Sequence, residues 1–226
     1  MIPRKYKLLF FLILFQTIIL FIHIFAQDNS TDTDFTSFSI QYMGQESPGM
    51  TPEIFAPGIV STDANEHGCA FYPDGREFYF TRIINSQPTI MVMKLDNNKW
   101  SPPQVASFSG QHNDRLPSMS PDGKKLFFES IRPYPNPNSN KIHKVWMVQR
   151  TGLEWGKAQP VEMDFDGRIA GVSMSGNGTL YGRGITQFTY HDGRYQNPAT
   201  LDPKLEGDYP FIAPDESYIL YCSGSQ

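Results

Sequence analysis

One ten-residue pattern returns four times along this chain and limits the folds open to it. It reads Phe71-Tyr-Pro-Asp-Gly-Arg-Glu-Phe-Tyr-Phe80 and then Met119-Ser-Pro-Asp-Gly-Lys-Lys-Leu-Phe-Phe128. Weaker copies follow as Met174-Ser-Gly-Asn-Gly-Thr-Leu-Tyr181 and Ile212-Ala-Pro-Asp-Glu-Ser-Tyr-Ile-Leu-Tyr221. Each copy is an apolar run, a tight turn and an aromatic run, the signature of an antiparallel hairpin. Asp74, Asp122 and Asp215 sit where a carboxylate accepts N–H bonds inside such a turn. Gly75, Gly123 and Gly178 supply the positive φ the turn demands. These residues are read as structural rather than as ligands.

A second element alternates with the first: Lys94-Leu-Asp-Asn-Asn-Lys-Trp100, Gln149-Arg-Thr-Gly-Leu-Glu-Trp155 and Thr189-Tyr-His-Asp-Gly-Arg-Tyr195. From Trp100 to Asp122 is 22 positions, from Trp155 to Asn177 again 22, and from Tyr195 to Asp215 20. Two hairpins per repeat make four antiparallel strands, and a period of about 40–50 residues is that of a propeller blade. The fold class is therefore all-β, a β-propeller of four-stranded blades over residues 50–226. In the first blade the strands are expected at Gly68–Tyr72, Glu77–Arg82, Thr89–Leu95 and Trp100–Phe108. Trp100, Trp155 and Tyr195 are expected to pack blade against blade. The count gives three full blades, a partial fourth, and an N-terminal strand at Thr51–Val60 suited to closing the last blade of a ring. That predicts an incomplete ring from a six- or seven-bladed protein, with a small four-bladed ring as the alternative.

Ahead of the repeats, Met1–Lys7 is a short basic head and Leu8–Phe25 is almost wholly apolar, ending at Ala26. Residues 1–26 read as a secretory signal peptide, which predicts an exported, periplasmic or extracellular protein. An uncleaved anchor is the rival reading, and the only membrane contact foreseen. Residues 27–49, rich in Ser, Thr, Asp and Gln, read as a flexible linker. Of 19 Lys and Arg, three lie in the basic head, so 16 face 23 Asp and Glu in the remainder. That acidic balance argues against nucleic acid as partner. Cys69 and Cys222 are too few for a disulfide scaffold and are expected as buried free thiols.

The Pro-Asp-Gly hairpin resembles the WD40-like repeat of the periplasmic TolB family, most closely at Ser120-Pro-Asp-Gly-Lys-Lys-Leu-Phe-Phe-Glu-Ser130. Asn113-Asp114 ahead of Pro117, and Arg132 after Ser130, are similar to that family's blade. The third repeat departs, with Gly176-Asn-Gly178, and the fourth carries Glu216 in place of glycine. The segment Ser173–Leu180 is also loosely similar to the Asp-box turn of sialidase-like propellers. What the resemblance implies is a fold; members include interaction scaffolds and uncharacterised exported proteins, and similar propellers accompany peptidase domains or form some polysaccharide lyases.

No Gly-x-Ser-x-Gly elbow is present, and the histidines follow no metal-ligand spacing, so no catalytic residue, cofactor or metal is assigned. The segments that lead into successive first strands place Glu66, His67, Asp114, Arg115, Arg168 and Asp208 toward a common channel as a ligand-binding cluster. Arg82, Arg132 and Arg183 each follow a second strand and are expected to tie loops together. The reading that results is an exported non-enzymatic propeller that binds protein, peptide or envelope glycan. The alternatives are a carbohydrate-active enzyme, lyase or sialidase-like hydrolase, and a non-functional propeller fragment.

Overall fold

The computed structural model describes residues 42–46, 49–134, 144–165, 169, 171–202 and 207–223. The segment read as a signal peptide, most of the segment read as a linker, and Arg168 lie outside the described residues. All the regular structure described is β, apart from two single 3-10 turns. It forms four antiparallel sheets in chain order, an incomplete propeller.

Blade one holds β1 (Glu66–Phe71), β2 (Glu77–Ile84), β3 (Gln87–Asp96), β4 (Lys99–Trp100) and β5 (Gln104–Val105). Blade two holds β6 (Asp114–Met119), β7 (Lys125–Ser130), β8 (Lys144–Thr151), β9 (Glu154–Trp155) and β10 (Gln159–Pro160). Blade three holds β11 (Ser173–Met174), β12 (Leu180–Gly182), β13 (Thr186–His191) and β14 (Arg194–Thr200). Blade four is a two-stranded hairpin of β15 (Asp208–Ile212) and β16 (Ile219–Cys222).

The turns form as their side chains dictate. Asp74 accepts the Arg76 N–H, Asp122 the Lys124 N–H, Asn177 the Thr179 N–H and Asp215 the Ser217 N–H. Gly75 and Gly123 take φ of 73° and 69°. Behind the turns of blades one to three the second strand is buried on both faces because both faces are covered. Leu126 and Phe128 point into a cluster with Tyr79, Ile90 and Val92 of blade one. Phe127, between them, points the other way into a cluster with Leu180, Phe188 and Tyr195 of blade three. The period-2 alternation thus supplies two inter-blade cores from one strand. Each fully buried aromatic there contributes about 1.5–3 kcal/mol.

Three expectations need correction. The outer strand from Trp100 is broken: Ser101–Pro103 is irregular between β4 and β5, because Pro102 and Pro103 have no N–H to give a ladder. Thr51–Val60 is not a strand. Residues 56–61 form a turn in which Val60 and Ser61 both donate to the Ala56 carbonyl. Phe55 then packs on Phe71 and Phe78, so the segment sits on blade one and not on the last blade. Finally, Cys69 and Cys222 are free but exposed, not buried.

Candidate functional site: the channel between inner strands

The four inner strands lie side by side: β1 packs on β6, β6 on β11, and β11 on β15. Together they wall a cavity of about 510 Å³. That volume lies within the range of small-molecule and peptide pockets, about 300–1,000 Å³. Its wall includes Cys69, Phe71, Met119, Met174, Tyr209 and Phe211, with Ser118 and Ser173 as polar points. Among the described residues no charged side chain lines it. Cys69 is open to this concavity yet closely surrounded by protein, and that desolvation pushes its thiol above the usual range.

The inner strands share a backbone irregularity. Registers slip between His67 and Cys69, between Arg115 and Ser118, and between Asp208 and Phe211. At each slip one residue is left-handed: Gly68 at φ 56°, Leu116 at 56° and Tyr209 at 56°, with Gly171 at 66° just before β11. These are β-bulges, which recur at functional rims. Leu116 and Tyr209 carry side chains in a conformation that costs about 1–3 kcal/mol. Two of these left-handed residues use their N–H groups between blades. Leu116 donates to Thr81 Oγ1 at 2.9 Å, and Gly171 to Glu129 Oε1 at 2.7 Å. Around the channel glycine and large side chain alternate. A Cβ on Gly68 would lie 2.8 Å from the Leu116 side chain, and one on Gly171 would lie 3.2 Å from the Tyr209 ring.

The described charged residues singled out in the sequence lie on or next to the inner strands, most of them within ion pairs. Glu66 meets Arg82 at 2.8 Å. Burial pushes its carboxyl up, but hydrogen bonds from Thr62 and Arg82 outweigh that and hold it below the usual range. Asp114 is fully buried and accepts from Ser109, Ser130 and Arg132. Asp208 pairs with Arg183 at 2.9 Å, across blades three and four. The recurring arginines are therefore clamps. Arg82 also donates to the carbonyls of Ile59 and Val60, and Arg132 to that of Phe108. In blades one and two the clamp joins the first strand to the segment that leads into it.

Arg115 pairs with buried Glu129 at 3.0 Å. His67 sits near both; desolvation first, and the Arg115 charge second, lower its pKa against the opposing pull of Glu129. His67, Arg115 and Glu129 are thus brought together, while Glu66, Asp114 and Asp208 each belong to a separate clamp. Glu129 was the residue sequence reasoning passed over. Its only signal was a charge inside the apolar run Leu126-Phe-Phe-Glu129, a place that demands a partner.

The aromatic residues at the outer hairpins are interior. Trp155 Nε1 donates to the Tyr79 hydroxyl at 2.8 Å, from blade two to blade one. Trp100 and Tyr195 are buried. Among the described residues no group of three or more His, Cys, Asp or Glu is placed to hold a metal ion.

No family model and no curated protein matches this chain. Solved structures do. TolB from Acinetobacter baumannii is 16% identical with a TM-score of 0.50, over 72% of this chain and 39% of that one. A structure described as putative TolB from Agrobacterium tumefaciens is 13% identical with a TM-score of 0.46, over 69% and 56%. The PQQ-bound aldose sugar dehydrogenase of Streptomyces coelicolor is 14% identical with a TM-score of 0.35, over 70% and 73%. The likeness to the first is one of fold: this chain shares propeller architecture with TolB and spans about two fifths of its length.

Proposed function

We propose that this chain is an exported, non-enzymatic propeller segment that binds another protein or a peptide by taking an uncharged, extended piece of it into the inner-strand channel. The observation that carries the reading is the wall of that channel: about 510 Å³ bounded by apolar, proline and serine residues, with no charge among the described residues. An apolar peptide segment matches such a wall by burying apolar surface. A glycan matches it less well. Sugar hydroxyls need several polar partners, and one of the few available, Ser173 Oγ, already accepts the Ile212 N–H. Export is supported by the basic head and apolar run of residues 1–26.

An enzymatic reading needs an acid–base pair aimed at the ligand. Among the described residues no carboxylate lines the channel, and Glu66, Asp114 and Asp208 each serve an arginine. The test is fluorescence anisotropy with labelled apolar and charged peptides and with neutral and acidic oligosaccharides. Apolar peptides are expected to bind. Ala70→Trp and Ser118→Trp, each filling the channel from a different strand, are expected to weaken them about tenfold or more while thermal unfolding still shows a folded protein. Preferential binding of acidic oligosaccharides, or unchanged peptide binding in both variants, overturns the proposal.

A further inference from the structure

The inner strands are equivalent by repeat, yet they differ in the backbone donors they turn toward the channel. The repeat aligns Gly68-Cys69-Ala-Phe71, Leu116-Pro117-Ser-Met119, Gly171-Val172-Ser-Met174 and Tyr209-Pro210-Phe-Ile212. Just past each stretch one N–H bonds into the hairpin: Tyr72 to Glu77, Ser120 to Lys125, Ser175 to Thr179 and Ala213 to Tyr218. Antiparallel bonding alternates along a strand. The residues one and three positions before those donors therefore turn their N–H and C=O groups away from the ladder, at the cavity wall. Pro117 and Pro210 each occupy one such place, where a missing N–H costs the ladder nothing.

The second place on β15 is also closed, because the Ile212 N–H donates to Ser173 Oγ at 3.1 Å. Only β1 and β11 keep both donors. Those of β1 belong to exposed residues, Cys69 and Phe71, and water reaches them. Val172 and Met174 on β11 are 5% and 7% exposed. Among the described residues neither of their N–H groups has an acceptor. A buried backbone N–H is nearly always paired, so two such donors on one cavity wall mark a place for a ligand's acceptors. Ser118, on β6 where Ser173 stands on β11, adds a hydroxyl to the same wall with no partner among the described residues.

We propose, taking the channel as the peptide site, that the peptide is held as an added strand on β11, its alternate residues exchanging backbone bonds with Val172 and Met174. Strand addition draws affinity from main-chain groups, which suits a wall with no charge among the described residues. The two outward residues lie about 6.8 Å apart along the strand, the spacing of residues i and i+2 in an extended chain. The partner is thereby a linear, extended segment and not the face of a folded domain.

The repeat itself supplies the test. Val172→Pro after Gly171 copies Leu116-Pro117 and Tyr209-Pro210, whose first residues share the left-handed φ of Gly171. It removes one outward N–H and leaves the ladder intact. Fluorescence anisotropy with the tightest-binding labelled apolar peptide is expected to show about tenfold weaker binding, with thermal unfolding close to wild type. Cys69→Pro makes the same change on β1 and is expected to leave binding within about twofold. On the unaltered protein, N-methylation of one peptide residue at a time is expected to weaken binding at every second residue of the bound stretch. If Val172→Pro does not fold, that series decides alone. Unchanged binding in folded Val172→Pro, a larger loss in Cys69→Pro, or N-methyl losses without alternation overturns the added strand and leaves the channel reading standing. Failure of every apolar peptide to bind the wild type overturns both.

Discussion

The lock between blades one and two is the contact whose removal is most informative. Arg150 on β8 reaches Glu77 on β2 with two bonds, Nη2 to Oε1 at 2.6 Å and Nη1 to Oε2 at 3.0 Å. The Tyr79 hydroxyl donates to the same carboxylate and accepts from Trp155 Nε1. The guanidinium lies 4.5 Å from the Tyr72 ring centroid and 5.1 Å from that of Trp155. Arg150→Met keeps the apolar stem and leaves Glu77 charged with only Tyr79 to bond it. The two side chains are 7% and 12% exposed, so the pair is nearly buried. Breaking a buried pair by removing one partner costs about 3–5 kcal/mol, and the residual exposure puts this case near 3. In a domain of this size that lowers Tm by about 6–12 °C.

The sign with pH is fixed by Glu77. Burial pushes its carboxyl up, but the bonds from Arg150 and Tyr79 outweigh burial and hold it below its ordinary 4.5. In the wild type the pair's stabilisation is therefore present above the unfolded value and lost as pH falls through the lower folded value. In Arg150→Met burial dominates, the carboxyl rises above its ordinary value, and protonation relieves the penalty as pH falls. The gap between the two proteins should shrink as pH falls, first from the variant's side above pH 4.5 and then, below 4.5, from the wild type's side. Adding Glu77→Gln to Arg150→Met should return more than about 1 kcal/mol at pH 7. Urea unfolding of the four proteins of this cycle reads all three effects. A gap under about 1 kcal/mol at pH 7, or one that does not change with pH, refutes the reasoning.

Two further perturbations separate local from inter-blade roles. Gly75 and Gly123 both have positive φ, yet a Cβ at Gly75 meets nothing while one at Gly123 lies 2.8 Å from the Tyr72 ring. Gly75→Ala should cost about 1 kcal/mol and Gly123→Ala at least about twice that, read as urea midpoints. Asp114→Ala strips three partners and leaves Arg132 without its anion in a buried place; it should cost about 3–5 kcal/mol. Asp74→Ala removes one exposed turn bond, and its unfolding midpoint should stay close to wild type.

What lay open in the sequence was whatever depends on neighbours along the chain. The Pro-Asp-Gly turns act within two residues, as Asp74 does on Arg76. The unbroken apolar run at Phe78–Phe80 announces a strand covered on both faces, and it is. Arg82, Arg132 and Arg183 stood out by recurrence alone. Their partners did not, because a clamp is defined by three-dimensional closure. Arg132 and Asp114 are 18 positions apart, Arg150 and Glu77 are 73, and Glu129 and Gly171 are 42. The charge cluster inferred from the sequence was blind to pairing, since Glu66, Asp114 and Asp208 each hold an arginine. Residues that occupy equivalent positions on neighbouring strands share a neighbourhood without sharing a ligand.

The same limit explains why the channel itself had to be seen. Its wall includes residues that look unremarkable one at a time: two glycines, an alanine, serines and prolines on or next to four separate strands. Their meaning comes from the bulges. Each slip in register leaves one residue left-handed, and where that residue is Leu116 or Tyr209 rather than glycine, the backbone bears strain. The strain is matched across the blade interface, since Leu116 fills the space left by Gly68 and Tyr209 the space left by Gly171. A glycine whose neighbour on the next blade is large, at the same repeat position, is therefore a coupled pair rather than two independent turns. Coupling of this kind sets the shape of the channel and joins that shape to the packing between blades. A ligand that favours one arrangement of the Leu116 and Tyr209 side chains acts on the blade contacts by the same free energy.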